Sequence, residues 1–386
     1  MSKQIASERK ELIPIPKMIA EASEQSKALP LVVEILVFFL IMIIIIFVEN
    51  VLSVFAFLPQ LDSLLAGDDV ELPIVFFVFI TAVMIIIPII YCRAIERRKL
   101  PTMGFRRRGL AAEYLNGLMI GSVMLAASLA ICYFTGSMMF TSINPTIPWL
   151  MLGIYLVYYL IQGMSEEVLC RGYFLVSLAR KQRIIVAIAI NSIAFSALHF
   201  LNPHTSLLAF INLFLFGVFA SVYFVKRGDI WGVAAIHSSW NFVQGNIFGI
   251  AVSGTTNTTT VFMFEPTTQG ALYNGGPFGL EGGLAVTIVL LVATVIMLLT
   301  SSRNVYTAPP AVQYVPVQYV PVANAQNVPF YGETNAPPTP GSQVQVEYPA
   351  QVIPPDETSS GQQTNPPAGN PADSPPSSTE SKPPDN

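Results

Sequence analysis

The sequence predicts an all-α fold, a polytopic transmembrane helical bundle of about eight spans with a disordered C-terminal tail. Three observations predict it. Of 386 residues, 52% are hydrophobic and only 11% charged, whereas a soluble globular chain carries about a quarter charged residues. The apolar residues gather into runs near the roughly 20 residues that a helix needs to cross a bilayer, as in Leu31 to Val48, Leu72 to Cys92 and Leu284 to Leu299. Lysine and arginine occupy only alternate breaks between these runs, the mark of cytoplasmic loops.

Taken in order, the apolar runs and polar breaks place spans near 31–55, 73–93, 110–134, 149–171, 184–200, 206–225, 230–250 and 280–300. A charged stretch of 30 residues precedes the first run and Glu49 and Asn50 close it, so a cleavable signal peptide is not expected. Lys3, Arg9, Lys10, Lys17 and Lys27 lie before span one, and seven basic residues from Arg93 to Arg108 lie between spans two and three. Arg171, Arg180, Lys181 and Arg183 follow at the end of span four, Lys226 and Arg227 after span six, Arg303 after span eight and Lys382 in the tail. All 20 basic residues therefore fall on one side, and the rule makes that side cytoplasmic. The opposite loops carry acids instead, as at Asp62, Asp68, Asp69 and Glu71. A multi-pass protein of the cell membrane with both termini in the cytoplasm is expected.

This divides the chain into a cytoplasmic segment (1–30), two N-terminal helices with a basic loop (31–109), a helical core (110–300) and a tail (301–386). The tail is rich in Pro, Ser, Thr, Gln and Asn and poor in large apolar residues, so it cannot bury enough surface to fold alone. Within it the direct repeat Gln313-Tyr-Val-Pro-Val and Gln318-Tyr-Val-Pro-Val is a candidate extended strip for a tail-binding protein. Cys92, Cys132 and Cys170 lack the close spacing of a zinc or redox site and read as small packing residues. The bilayer itself is the first partner implied, and no nucleic-acid partner is expected.

Ionisable side chains inside a membrane are expensive, so each is a candidate for function. Span four contains Glu166, Glu167 and Arg171. Glu167 and Arg171 are four residues apart on one helical face, acid before base, and can neutralise each other. Glu166 is rotated by about 100° from Glu167 and has no such partner on its own helix, which makes it the better candidate for chemistry. Span five ends in Phe195-Ser-Ala-Leu-His199, and span seven begins with His237 and Asn241 on one face. The third histidine, His204, sits in a loop setting and is given no catalytic role.

Spans four and five are joined by a short basic turn and must be antiparallel neighbours. Glu166 and His199 are equidistant from a turn centred between Gln182 and Arg183, so a helical hairpin sets them at about the same height. That height is roughly 25 Å from the turn tip, against about 12 Å for His237 from the start of its span, which requires the hairpin to protrude by about 10 Å. An amphipathic stretch from Arg171 to Arg183 is expected to allow this.

At these residues the sequence resembles the CPBP intramembrane proteases, the family of the CAAX prenyl endopeptidase and its bacterial, Abi-type relatives. The pattern is a paired glutamate followed by arginine, then Phe-x-x-x-His, then His-x-x-x-Asn, here Glu166-Glu167-x-x-x-Arg171, Phe195-x-x-x-His199 and His237-x-x-x-Asn241. The flanking phrases Ala197-Leu-His-Phe-Leu-Asn-Pro and Trp240-Asn-Phe-Val-Gln-Gly-Asn-Ile-Phe-Gly resemble the bacterial branch. The resemblance covers roughly 110–255 and makes 110–300 a protease core. It implies hydrolysis of a peptide bond in a membrane-anchored peptide or protein substrate. In a metal-free version, Glu166 with His199 activates water while His237 and Asn241 stabilise the oxyanion, and Glu167 and Arg171 support them. In the rival version Glu166, His199 and His237 hold a divalent metal such as zinc. The asparagine beside His237 favours the first. A non-proteolytic immunity or scaffold protein on the same fold is the alternative, and the complete set of costly polar groups argues against it.

Overall fold

A computed structural model describes residues 13–25, 28–56, 72–303, 305, 319–321 and 343–345. The chain forms two units, Met1–Thr307 and Ala308–Asn386. The first is mostly helical. A short helix α1 (Lys17–Gln25) leads to α2 (Leu31–Ala56) and α3 (Leu72–Ile90), which runs into a π-helical turn, Tyr91–Ile95. Next come α4 (Leu110–Phe134), strand β1 (Met138–Ile143) and α5 (Trp149–Glu167). A π-helical stretch, Val168–Leu175, joins α5 to the short α6 (Val176–Ala179), and α7 (Ile184–Leu198) and α8 (Leu207–Arg227) follow. The unit closes with α9 (Trp231–Phe242), strand β2 (Phe262–Pro266), the short α10 (Ala271–Asn274) and α11 (Leu284–Leu299).

Each of the eight apolar stretches thus carries a helix. Within these, Leu31–Leu52, Leu110–Phe134 and Leu207–Arg227 are long and apolar enough to cross a membrane by length and composition. Their outward faces carry large apolar side chains such as Val32, Leu36, Leu115, Met119 and Val123, all more than half exposed, a surface that costs free energy in water and none among lipid tails. The inward face of α2 is narrow. Glu34, Phe38, Ile41 and Ile45 repeat at helical spacing and are buried, and the Phe38 ring stacks on Phe174 with centroids 4.1 Å apart.

The centre of the unit is α9, whose residues Gly232 to Asn241 are all buried between α4 and α5. Small residues make the approach close enough. A methyl group at Gly117 or Gly121 would run into the backbone carbonyls of Gly232 or Ile236, and one at Gly163 into Ser238. Without a hydrophobic driving force between helices in lipid, such small-residue contacts are what brings backbones together. The α7–α8 pair uses the same device where Gly217 meets Ser192. Its polar tie is Asn191 Nδ2 donating to Ser221 Oγ at 3.0 Å. Helix α8 starts on Ser206, whose Oγ accepts from Ala209 N at 3.1 Å, and stops at Gly228 with φ of 72°. Strands β1 and β2 pair antiparallel, with Met138 opposite Pro266 and Ile143 opposite Phe262.

One expectation needs correction. The stretch following the paired glutamates is not amphipathic, because every residue from Val168 to Leu178 is buried. It passes between α3, α7 and the N-terminal helices, so its polar groups are enclosed by neighbours. The basic loop after α3 is partly buried. Arg98 is buried, with its Nε 2.7 Å from Glu96 Oε2 and its Nη2 3.2 Å from Ser177 Oγ. Arg180, at the turn between α6 and α7, pairs with Glu96 and, at 3.1 Å, with Glu34 of α2. Arg98 and Arg180 thus tie the loop after α3, the end of α6 and α2 together through Glu96 and Glu34.

In the second unit, Tyr319–Pro321 of the second repeat pairs antiparallel with Gln343–Gln345. The first repeat, most of the expected disordered tail and the acidic loop 57–71 lie outside the described residues.

Candidate active site

Three helices and the turn after one of them deliver the polar cluster. The last two turns of α5 carry Gln162, Glu166 and Glu167, His199 caps the end of α7, and the second half of α9 carries His237 and Asn241. Glu166 Oε2 lies 3.7 Å from His199 Nε2 and 3.8 Å from His237 Nε2. The two residues predicted to share a height are therefore side-chain neighbours.

Each imidazole is oriented through its other nitrogen. His199 Nδ1 is 3.0 Å from the Phe195 carbonyl, one of the carbonyls that the end of a helix leaves short of donors. A carbonyl only accepts, so Nδ1 carries the hydrogen and Nε2 of the neutral ring turns its lone pair to Glu166. His237 Nδ1 is 2.9 Å from Glu167 Oε1, which fixes the same tautomer. Glu167 Oε1 also accepts from Arg171 Nη1 at 2.8 Å, and both side chains of that pair are fully buried. Arg171 in turn donates to the Gly217 carbonyl at 3.3 Å and lies over the Phe195 ring, 4.6 Å from its centroid. Phe195 thus serves two strands of the site, its carbonyl holding His199 and its ring covering Arg171.

Glu166 does have a partner on its own helix, contrary to the sequence expectation. Gln162 donates its Nε2 to Glu166 Oε1, and Asn241 Nδ2 donates to Gln162 Oε1 at 2.9 Å. Sequence reasoning missed Gln162 by looking for charged neighbours only. Its place four residues before Glu166 was the available signal. The other oxygen, Glu166 Oε2, is buried and accepts no hydrogen bond among the described residues. Glu166 lines a cavity of about 430 Å³ together with Tyr155, Tyr159, Phe216, Trp240 and Glu281 among others. His204 stands apart, exposed in the turn after α7 with φ of 61°.

This donor set has the chemistry of a zinc site, but the spacing is wide. Ligands at about 2.0–2.2 Å from a tetrahedral ion stand about 3.4 Å from one another, and both distances to Glu166 Oε2 exceed that. Among the described residues no group of three or more His, Cys, Asp or Glu has the spacing to hold a metal ion. The arrangement as it stands is instead that of three bases around a point at which a water could be held and deprotonated.

A paired carboxylate and two histidines converging from separate helices is the relationship that the three motifs foretell. Residues 148–243 match the family model Type II CAAX prenyl endopeptidase Rce1-like. The Rce1-like match contains every residue of the cluster and supports the CPBP and CAAX protease family, without distinguishing a bacterial branch. Rce1-like proteins are membrane-embedded proteases. No curated protein and no solved structure matches the chain.

Proposed function

We propose that the protein is an intramembrane endopeptidase that hydrolyses a peptide bond of a membrane-anchored substrate. The observation that carries this reading is the approach of Glu166 Oε2 to both histidine Nε2 atoms, 3.7 and 3.8 Å away, in a cavity large enough for an extended peptide segment. In this reading all eight long helices cross the cell membrane, with both termini in the cytoplasm, as the placement of the 20 basic residues favours.

Glu166 Oε2 removes a proton from a water that His199 Nε2 helps to hold, and the water oxygen bonds to the scissile carbonyl carbon. The carbonyl π electrons move to its oxygen, which becomes the oxyanion of a tetrahedral intermediate. Asn241 has a second Nδ2 hydrogen free of its bond to Gln162 and can donate it to that oxygen. His237 can also donate, but only as an imidazolium, since Glu167 already takes its Nδ1 hydrogen. Collapse of the intermediate breaks the carbon–nitrogen bond, and the proton on Glu166 passes to the leaving amine. Glu167, Arg171 and Phe195 act by holding the imidazoles in place.

The test is a comparison of newly formed peptide termini in membranes that contain the wild-type protein or Glu166→Ala at equal abundance. Termini that appear only with the wild type, and that vanish equally with His199→Ala, support the reading. Identical termini in all three membranes would sink it.

A further inference from the structure

Among the cavity-lining residues, Glu281 belongs to none of the motifs and lies outside the matched segment. It stands on a single 3-10 turn, Leu280–Gly282, that leads into α11, and its side chain reaches the cavity that holds Glu166, His199 and His237. The turn is anchored from below. Asn212 of α8 donates to the carbonyls of Glu281 and Gly283 at 2.8 and 2.9 Å, and Thr287 Oγ1 donates to Asn212 Oδ1 at 2.6 Å.

The carboxylate is only half used by its surroundings. Oε2 accepts from Ser253 N at 2.6 Å, from Ser253 Oγ at 3.2 Å and from Gln244 Nε2 at 3.2 Å. All three donors are neutral, and no hydrogen bond of the described residues reaches Oε1. A glutamine would serve those donors as well. What a glutamate adds is a negative charge, and the residue is 7% exposed, so the charge is largely out of water. An intramembrane carboxylate normally has a cationic partner, yet the cavity lining contains no lysine and no arginine; its basic groups are His199, which acts electrostatically on Glu281, and His237, whose Nδ1 is held by Glu167. The same lining supplies the aromatic faces of Tyr155, Tyr159 and Trp240, which attract cations through their ring quadrupoles.

We infer that Glu281 is a specificity residue that receives a basic side chain of the substrate, so that the site selects peptides with a lysine or arginine close to the scissile bond. The inference rests on the proteolytic reading above. A compact space of about 430 Å³ is about 9 Å across, the reach of about three extended residues, which sets the distance between the basic residue and the cleaved bond. The cation enters between the Glu281 carboxylate and the aromatic wall and replaces the solvent that an isolated charge there would need.

The test uses the full-length protein in detergent micelles with three nine-residue peptides that differ at one position, Lys, Gln or Glu, and with N-methylated versions that cannot be cleaved. Wild type should bind and cleave the Lys peptide about tenfold better than the Gln peptide and leave the Glu peptide untouched. Glu281→Gln should bring the Lys-to-Gln ratio to about one. Gln244→Met, which removes a donor to Glu281 but not its charge, should keep the ratio, so a merely structural role would show as equal losses in both variants and would overturn the proposal. A ratio near one in the wild type, or one that survives Glu281→Gln, overturns it as well. Binding of the N-methylated Lys peptide that depends on Glu281, without cleavage of any peptide, supports the cation site and removes the proteolytic reading instead.

Discussion

His237 Nδ1 and Arg171 Nη1 converge on one oxygen of Glu167, at 2.9 and 2.8 Å. The pair Glu167–Arg171 is therefore more than a staple along one helix, because it also sets the tautomer and direction of an imidazole on another. A buried ion pair is weak as a source of net stability, but removal of one partner leaves an uncompensated buried charge. Arg171→Met should destabilise the protein by about 3 kcal/mol, and the double variant with Glu167→Gln should lose less than the sum of the singles. Unfolding in mixed detergent micelles measures both. Additive losses would show that the two residues act independently.

Glu166 occupies the opposite position. Its Oε2 accepts no hydrogen bond among the described residues, and its Oε1 takes one neutral donor, Gln162. Glu166→Gln should leave the unfolding midpoint within about 0.5 kcal/mol of wild type while hydrolysis falls by at least about a hundredfold. A variant that unfolds early would reassign the residue to structure.

Phe195 links the two histidines and the arginine through one ring. Phe195→Leu keeps the backbone carbonyl that holds His199 but removes the face under Arg171, and should cost about 1–2 kcal/mol. The loss in catalysis should be larger than that observed for Phe216→Leu, whose ring touches His237 but not the arginine.

Gly121 of α4 meets the Ile236 carbonyl and Ser239 Oγ of α9, which flank His237 in the chain. Gly121→Leu forces these helices apart and should destabilise by about 1–3 kcal/mol or more, with a matching fall in activity. Normal activity in this variant would mean that the helix crossing tolerates a wider separation than its packing implies.

The donor spacing around Glu166 bears on metal dependence. Hydrolysis by the metal-free protein, prepared with a strong chelator and checked by elemental analysis, should equal that of the untreated protein. Activity that disappears with chelation and returns with zinc would require the three donors to contract around an ion.

The helical fold was legible because apolar helices advertise themselves by their length, and the apolar runs coincide with α2 to α5, α7 to α9 and α11. The polar cluster of the candidate site was legible for a similar reason, since Glu166, His199 and His237 are polar residues where polar residues are costly. Gln162 was hidden because an uncharged amide in a helix attracts no attention until its neighbour is seen. Glu281 was hidden because it borders a loop and belongs to no pattern of spacing. The burial of Val168 to Leu178 was unreadable from local sequence, since Arg171 and Ser177 make the stretch look solvated and groups distant in the chain, Gly217 at Arg171 and Glu96 at Ser177, help to enclose it.

The π-helical stretch Val168–Leu175 sits between the two glutamates and that enclosure. A wide turn holds more residues than an α-helical one, so it fixes the rotational phase of everything after it relative to Glu166 and Glu167. Insertion of one residue in ordinary winding at its end would turn Arg180 by about 100° away from Glu34 and Glu96, without moving the Glu166 and Glu167 carboxylates. The stretch is a phase adjuster between chemistry and anchorage, and chain-length changes within it should separate loss of docking of α2 from loss of the reactive groups.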